Sequence, residues 1–272
     1  MTDVNAVATH YGGQHLNEQI LNALTEEGID IESLDWKQLA AIDQFHTRGL
    51  PATREQAALA APEAGTKVID IGCGAGGPAR CLVAEFGCSV TGIDLTPEYI
   101  EIAEMLTARC GLSDGAKFYA ADALDLPFDD GAFDLGWSQN VSMNIADKTA
   151  FYAEIYRTLR PGGKFVSSDV VTGLGGEAEW PLPWAREPSI SFVVTPEDMR
   201  VAMKHAGFHI AEWRDTTGEA VAVFQNPNQQ ARRGRLGVGL IAGPDFGERS
   251  ANLAKGLADS AFASVLVLAE KR

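Results

Sequence analysis

The sequence predicts a doubly wound α/β fold, a mainly parallel sheet wrapped by helices on both faces, behind a helical amino-terminal cap. Three observations carry this expectation. From Lys67 onward, short β-branched runs alternate with amphipathic helical stretches, and such alternation buries a parallel sheet between two helical layers. A glycine-rich stretch from Gly72 to Gly77 joins the first run to the first helix, where glycine lets the backbone turn tightly and approach a ligand. Acids stand near the ends of the first three runs, at Asp70, Asp94 and Asp122. We expect residues 1–61 to form the cap and residues 62–272 the core, with an insertion at about 172–194.

In chain order, Leu16, Ile20 and Leu24 recur at helical spacing, Leu39 and Ile42 suggest a second short helix, and 53–61 a third. Residues 67–71 read as a buried strand. Pro78 suits the first turn of the next helix, where its missing N–H costs nothing. Strands follow at 89–93, 117–121, 133–138 and 164–171. Thr96 and Asp147 are expected to cap the two helices between them, and Pro161-Gly162-Gly163 to stop the second. After a turn-rich stretch, Thr195-Pro196-Glu197-Asp198 opens a helix that Gly207 ends. Final strands are expected at 208–213 and 263–268. The stretch between them shows no period that places it.

The chain has 272 residues, 46% of them apolar, enough for a sizeable core. Acids outnumber bases 37 to 22, a formal charge of −15. That balance argues against nucleic acid, whose phosphates need a basic face, and against anionic lipid. The segment before Tyr11 lacks the basic and apolar regions of a signal peptide. No run of about twenty apolar residues suits a membrane span. Cys73, Cys81, Cys88 and Cys110 form no CxxC pair and no zinc spacing. We expect reduced thiols, no metal and a cytoplasmic location.

Gly72, Gly74 and Gly77 satisfy a G-x-G-x-x-G spacing, although a tight turn with no ligand satisfies it equally. Two acids narrow the choice. Asp94, ending the second strand, is placed to accept hydrogen bonds from a ribose diol. Asp70, two residues before the first glycine, would repel the pyrophosphate of a dinucleotide and favour a cationic amino-acid nucleoside. Asp122 is placed to take an adenine amine, with Ala123 and Leu124 walling the ring.

With these residues the chain resembles the class I S-adenosylmethionine-dependent methyltransferases. The matching stretches are 68–77, Gly92-Ile93-Asp94-Leu95, Asp122-Ala123, Phe133-Asp134-Leu135 and Leu159-Arg160-Pro161-Gly162-Gly163. The resemblance implies seven strands, the last inserted antiparallel between the fifth and sixth. It implies S-adenosyl-L-methionine as cofactor, held by Asp70, Gly72, Gly74, Asp94, Leu95, Asp122, Ala123 and Gln139, with Tyr11 covering it. Asp43-Gln44-Phe45-His46-Thr47 and Pro183-Trp184-Ala185 look like the small-molecule branch, similar to sarcosine/dimethylglycine N-methyltransferases.

The partner implied is a small-molecule methyl acceptor, with an amine or amino-acid-like nitrogen as the expected atom. Alternatives are O-, S- or C-methyl transfer, an NAD-type oxidoreductase, or a non-catalytic cofactor-binding regulator. Many similar enzymes carry a histidine where Asn144 stands and an acid where Asn140 stands. An amide orients an acceptor but takes no proton at neutral pH, so Asn144 and Asn140 are expected to position rather than deprotonate. His46 is the histidine expected nearest the chemistry, and Trp184 is expected to line the acceptor pocket. Arg48 and Arg186 are weaker candidates for holding an acceptor carboxylate.

Overall fold

The computed structural model describes residues 16–226 and 236–272. Tyr11, expected over the cofactor, lies outside the described residues. Helix α1 (Leu16–Glu26) buries Leu16, Ile20 and Leu24. A 3₁₀ turn (Trp36–Leu39) runs into the short α2 (Ala40–Asp43), and α3 (Leu50–Ala60) follows. That third helix starts three residues earlier than its apolar pattern suggests. Gly49 turns the chain at φ 58° and Pro51 occupies the first turn, where proline needs no hydrogen-bond partner.

The core then alternates: β1 (Lys67–Ile71), α4 (Gly77–Phe86), β2 (Ser89–Asp94), α5 (Pro97–Arg109), β3 (Ala116–Ala120), β4 (Phe133–Gln139), α6 (Lys148–Thr158) and β5 (Leu159–Thr172). After an irregular stretch come α7 (Pro196–His205), β6 (Phe208–Asp215), α8 (Thr217–Gln225), α9 (Gly239–Ala242), α10 (Phe246–Ala258) and β7 (Phe262–Lys271). Two expected caps form: Asp147 accepts from the Ala150 N–H at 2.9 Å and Thr195 from the Asp198 N–H at 3.0 Å. Thr96 precedes α5 without a side-chain cap. Asp94 supplies the carboxylate there instead, accepting the Thr96 N–H at 2.9 Å.

The seven strands form one sheet in the order β3-β2-β1-β4-β5-β7-β6. β7 runs antiparallel to both β5 and β6, and every other pair is parallel. Both faces are covered. Val68, Val90, Leu82, Ile100 and Trp137 pack on one side, and Ile69, Ile71, Phe151, Ile155 and Met203 on the other. β1 is accordingly buried at four of its five residues, as expected for a strand between two helical layers.

α1, the 3₁₀ turn and α2 share a cluster with α5: Ile20, Leu24, Leu39 and Ile42 pack with Tyr99, Ile102 and Leu106. A fully buried ion pair fastens them, Arg80 to Asp43 at 2.8 Å. From β1 the chain leaves in one direction through β2 and β3 and in the other through β4 and β5. Ligands of open α/β sheets bind at the strand carboxyl ends beside such a reversal.

Candidate functional site

A cleft of about 1200 Å³, counting space open to solvent, lies at that reversal. Its floor is the glycine loop. Gly72 adopts φ 70° and Gly74 φ 51°, a region that penalises side chains. A Cβ on Gly72 would lie 2.4 Å from Val141, and one on Gly74 3.0 Å from Phe45. Gly77 has a different reason for being glycine. A Cβ there would stand 2.4 Å from the Asp43 carbonyl oxygen, so it admits the amino-terminal segment rather than a ligand.

Three carboxylates surround the floor. Asp94 lines the cleft and accepts from the Gly74 N–H at 3.0 Å and the Thr96 N–H at 2.9 Å. Asp122 lines it and accepts from the Leu124 N–H at 2.9 Å. Leu95, Ala123 and Leu124 add apolar walls. Asp70 is not on the wall itself. It is buried at the end of β1, 2% exposed, and its Oδ2 has no hydrogen-bond partner. Burial first, and Asp94 second, push its carboxyl up to about 8. The Nε2 of Gln139, on the cleft wall, is a buried donor without a partner. A buried acceptor and a buried donor left open beside one cleft suit a ligand carrying both an ammonium and a carboxylate. The residues present therefore fit the amino-acid end of S-adenosylmethionine.

The loop after β4 forms the next wall. Asn140 takes a left-handed φ of 56°, its N–H donates to Ser168 O at 2.8 Å, and its side chain reaches Thr47 Oγ1 at 3.4 Å. Ser142–Asn144 make a 3₁₀ turn. Asn140, Met143, Asn144 and Ile145 all line the cleft. Buried Asp169 accepts the N–H groups of Val141 and Ser142 at 3.2 and 3.0 Å, so this loop is held from β5.

Trp184 lines the cleft, buried, with its indole N–H on Ser191 Oγ at 2.9 Å and Phe262 edge-on at 5.4 Å. Pro183, Val238, Ala242 and Phe246 also line the cleft.

His46 stands apart from this wall. It is buried, with Nε2 3.0 Å from Gln44 Oε1 and 3.0 Å from Thr53 Oγ1. Burial pushes the imidazole down to about 4, so it is neutral at working pH. Hydrogen bonds connect it to cleft-lining residues only indirectly, through Thr53 to Gln139 at 3.4 Å and through Thr47, which also meets Asn140. His46 does not itself line the cleft. Arg48 pairs with Glu55 and Arg186 with Asp245; neither lines the cleft.

Sequence reasoning missed Phe45, Tyr99, Met143 and the 238–246 wall. Phe45 lay inside a stretch already singled out, and Tyr99 read as an inward helix position. Residues 238–246 offered only glycine-rich sequence without a period.

Residues 69–167 match the family model of the methyltransferase domain. Over 100 residues the chain is 44% identical to the chloroplastic tocopherol O-methyltransferase of Arabidopsis thaliana, covering 37% of this chain and 29% of that one. It is 28% identical to O-methyltransferase cnsE of Penicillium expansum over 66% of this chain and 65% of that one. The matches span 29%, 27% and 32% of three curated relatives, under a third of each. Geranyl diphosphate C-methyltransferase from Streptomyces coelicolor A3(2) superposes with a TM-score of 0.71 at 19% identity, covering 99% of this chain and 98% of that one. Over the glycine loop and its strands the chain is thus similar to a methyltransferase domain, and its seven-stranded sheet order is that of the class I fold that the resemblance implied.

Proposed function

We propose that the protein transfers a methyl group from S-adenosylmethionine to a small molecule with an apolar body, at a nitrogen atom. The observation that carries this is the mixed lining of the cleft, part carboxylate and glycine loop, part apolar side chains. Asp94, Asp122 and the glycine loop make a polar donor end. Met143, Pro183, Trp184, Val238, Ala242 and Phe246 are the cleft's apolar lining, which we read as the far, acceptor end. When bound, S-adenosylmethionine supplies an already activated methyl group.

The chain's own residues then align and desolvate the acceptor, and alignment alone lowers such barriers by about 7–11 kcal/mol in favourable cases. The titratable side chains on the wall are Asp94, Tyr99 and Asp122, all on elements that shape the donor end. Among the described residues no imidazole or carboxylate lines the far end. That composition suits a neutral amine, which attacks through its lone pair and needs no base beforehand. Asn140 and Asn144 orient it through amide groups. The apolar far end also suits a carbon nucleophile, and relatives are named as O-, C- and N-methyltransferases.

Calorimetry with S-adenosylmethionine and with NAD tests the donor: binding of NAD alone would sink the proposal. The purified protein should then form S-adenosylhomocysteine with apolar amines ahead of matched phenols, thiols and alkenes. Turnover confined to phenols or alkenes would transfer the assignment to oxygen or carbon.

A further inference from the structure

Lys148 opens α6, is 7% exposed, and has no part in the donor end. Its ammonium nonetheless gathers three carbonyl oxygens: Ser142 at 2.7 Å, Ile145, and Phe192 at 2.7 Å. Ser142 and Ile145 bracket the turn that presents Met143 and Asn144 to the cleft. Phe192 belongs to the irregular stretch that carries Trp184, and it also donates its N–H to Met143 O at 2.9 Å. Its neighbour Ser191 holds the Trp184 indole at 2.9 Å. Two separate walls of the apolar end are therefore tied to one ammonium. Asp169 completes the fastening through the Val141 and Ser142 N–H groups, with its other oxygen on Ser167 Oγ at 2.5 Å.

We infer that Lys148 and Asp169 are positioning residues that hold the 141–145 turn and the Trp184 stretch in register, and so shape the acceptor end independently of the donor end. The inference rests on the methyl-transfer reading for its functional meaning, though the mechanical part stands alone. A charged donor to carbonyls is stronger than a neutral one, and three carbonyls use all three ammonium hydrogens. Neither group needs to touch the acceptor to set where it lies.

Hydrogen exchange and calorimetry separate this role from general stability. In Lys148→Met and Asp169→Ala, amide exchange should rise at least tenfold in peptides covering 141–145 and 189–194. It should stay within twofold over 68–77. The affinity for S-adenosylhomocysteine should stay within about threefold. Asp169→Asn keeps an accepting oxygen and should restore protection of the turn. With any acceptor that turns over, kcat/KM should fall at least tenfold in the two disruptive variants and recover in Asp169→Asn. A rise in exchange spread across the whole sheet overturns the inference, as does a parallel loss of S-adenosylhomocysteine binding or an Asp169→Asn variant as loose as Asp169→Ala. If no acceptor turns over, the methyl-transfer reading fails while the exchange data still decide the clamp.

Discussion

Asp70→Asn should make the ligand-free protein more stable at neutral pH while weakening its hold on S-adenosylmethionine. The carboxyl is 2% exposed, its Oδ2 has no partner, and burial raises it to about 8. In the unfolded chain it titrates near 3.8. Between those values the folded state holds a proton that the unfolded state lacks, so this group makes stability fall as pH rises from about 4 to about 8. One unit corresponds to 1.36 kcal/mol, so at pH 7 the burden is about 4 kcal/mol. Asparagine does not titrate, but its buried amide costs about 1–3 kcal/mol if left unpaired. The net gain at pH 7 is then about 1–3 kcal/mol. It should shrink toward zero or reverse near pH 5 and level off above pH 8.

Urea denaturation of both proteins from pH 5 to 8.5 measures this difference. Cofactor binding should move the opposite way, because a charge-assisted hydrogen bond to an ammonium is worth about 1.5–3 kcal/mol. The wild-type protein should release a proton on binding at pH 7, seen as a binding enthalpy that changes with the buffer's own ionisation enthalpy. The variant should not. A stability difference that stays constant across the pH range would refute the reasoning, as would a wild-type affinity indifferent to pH between 6 and 8.

Asp94→Asn should lower S-adenosylmethionine affinity at least tenfold by calorimetry with the fold intact, since one carboxylate oxygen already serves Gly74 and the other Thr96; unchanged affinity would put the cofactor elsewhere. His46→Gln should remove an acid-sensitive term. The buried imidazole, pushed to about 4, stays neutral while the unfolded one protonates near 6.5, so about 3 kcal/mol of stability present above pH 6.5 is lost as pH falls to 4. Denaturation curves should show that slope in the wild type and not in the variant, and the wild-type pH–rate profile should lack a limb at 6–7. Trp184→Phe should raise the acceptor KM about tenfold and leave the donor Kd within threefold, with equal effects on both marking Trp184 as packing alone.

Gly72, Gly74, Asp94, Leu95, Asp122, Ala123 and Gln139 were legible as a group and do line one cleft. Each sits at the end of a strand or in the loop that follows it, and neighbouring parallel strands bring their ends together by backbone pairing alone. β1 pairs with β2 and β4 in register, so short contiguous motifs suffice to describe the donor end. Asp70 was legible as an acid near that loop, but not as a buried one with an open oxygen. The place of β7 between β5 and β6 followed from resemblance, since no period in a strand names its neighbours.

Tertiary structure alone decided the other end. Met143, Trp184 and Phe246 meet from segments about forty and sixty residues apart, and no local pattern links them. Lys148 reads as an ordinary charged residue at the start of a helix until Phe192 arrives over it at 2.7 Å. His46 reads as the histidine nearest the chemistry until the fold buries it beside Gln44 and Thr53, off the cleft wall, where desolvation weakens its hold on a proton. The sequence by itself determined what is local: strand periodicity, helix caps, glycine turns and acids at strand ends. The fold decided what depends on distance and desolvation, because the energy of a buried charge or an apolar wall is set by neighbours the chain brings in from far away.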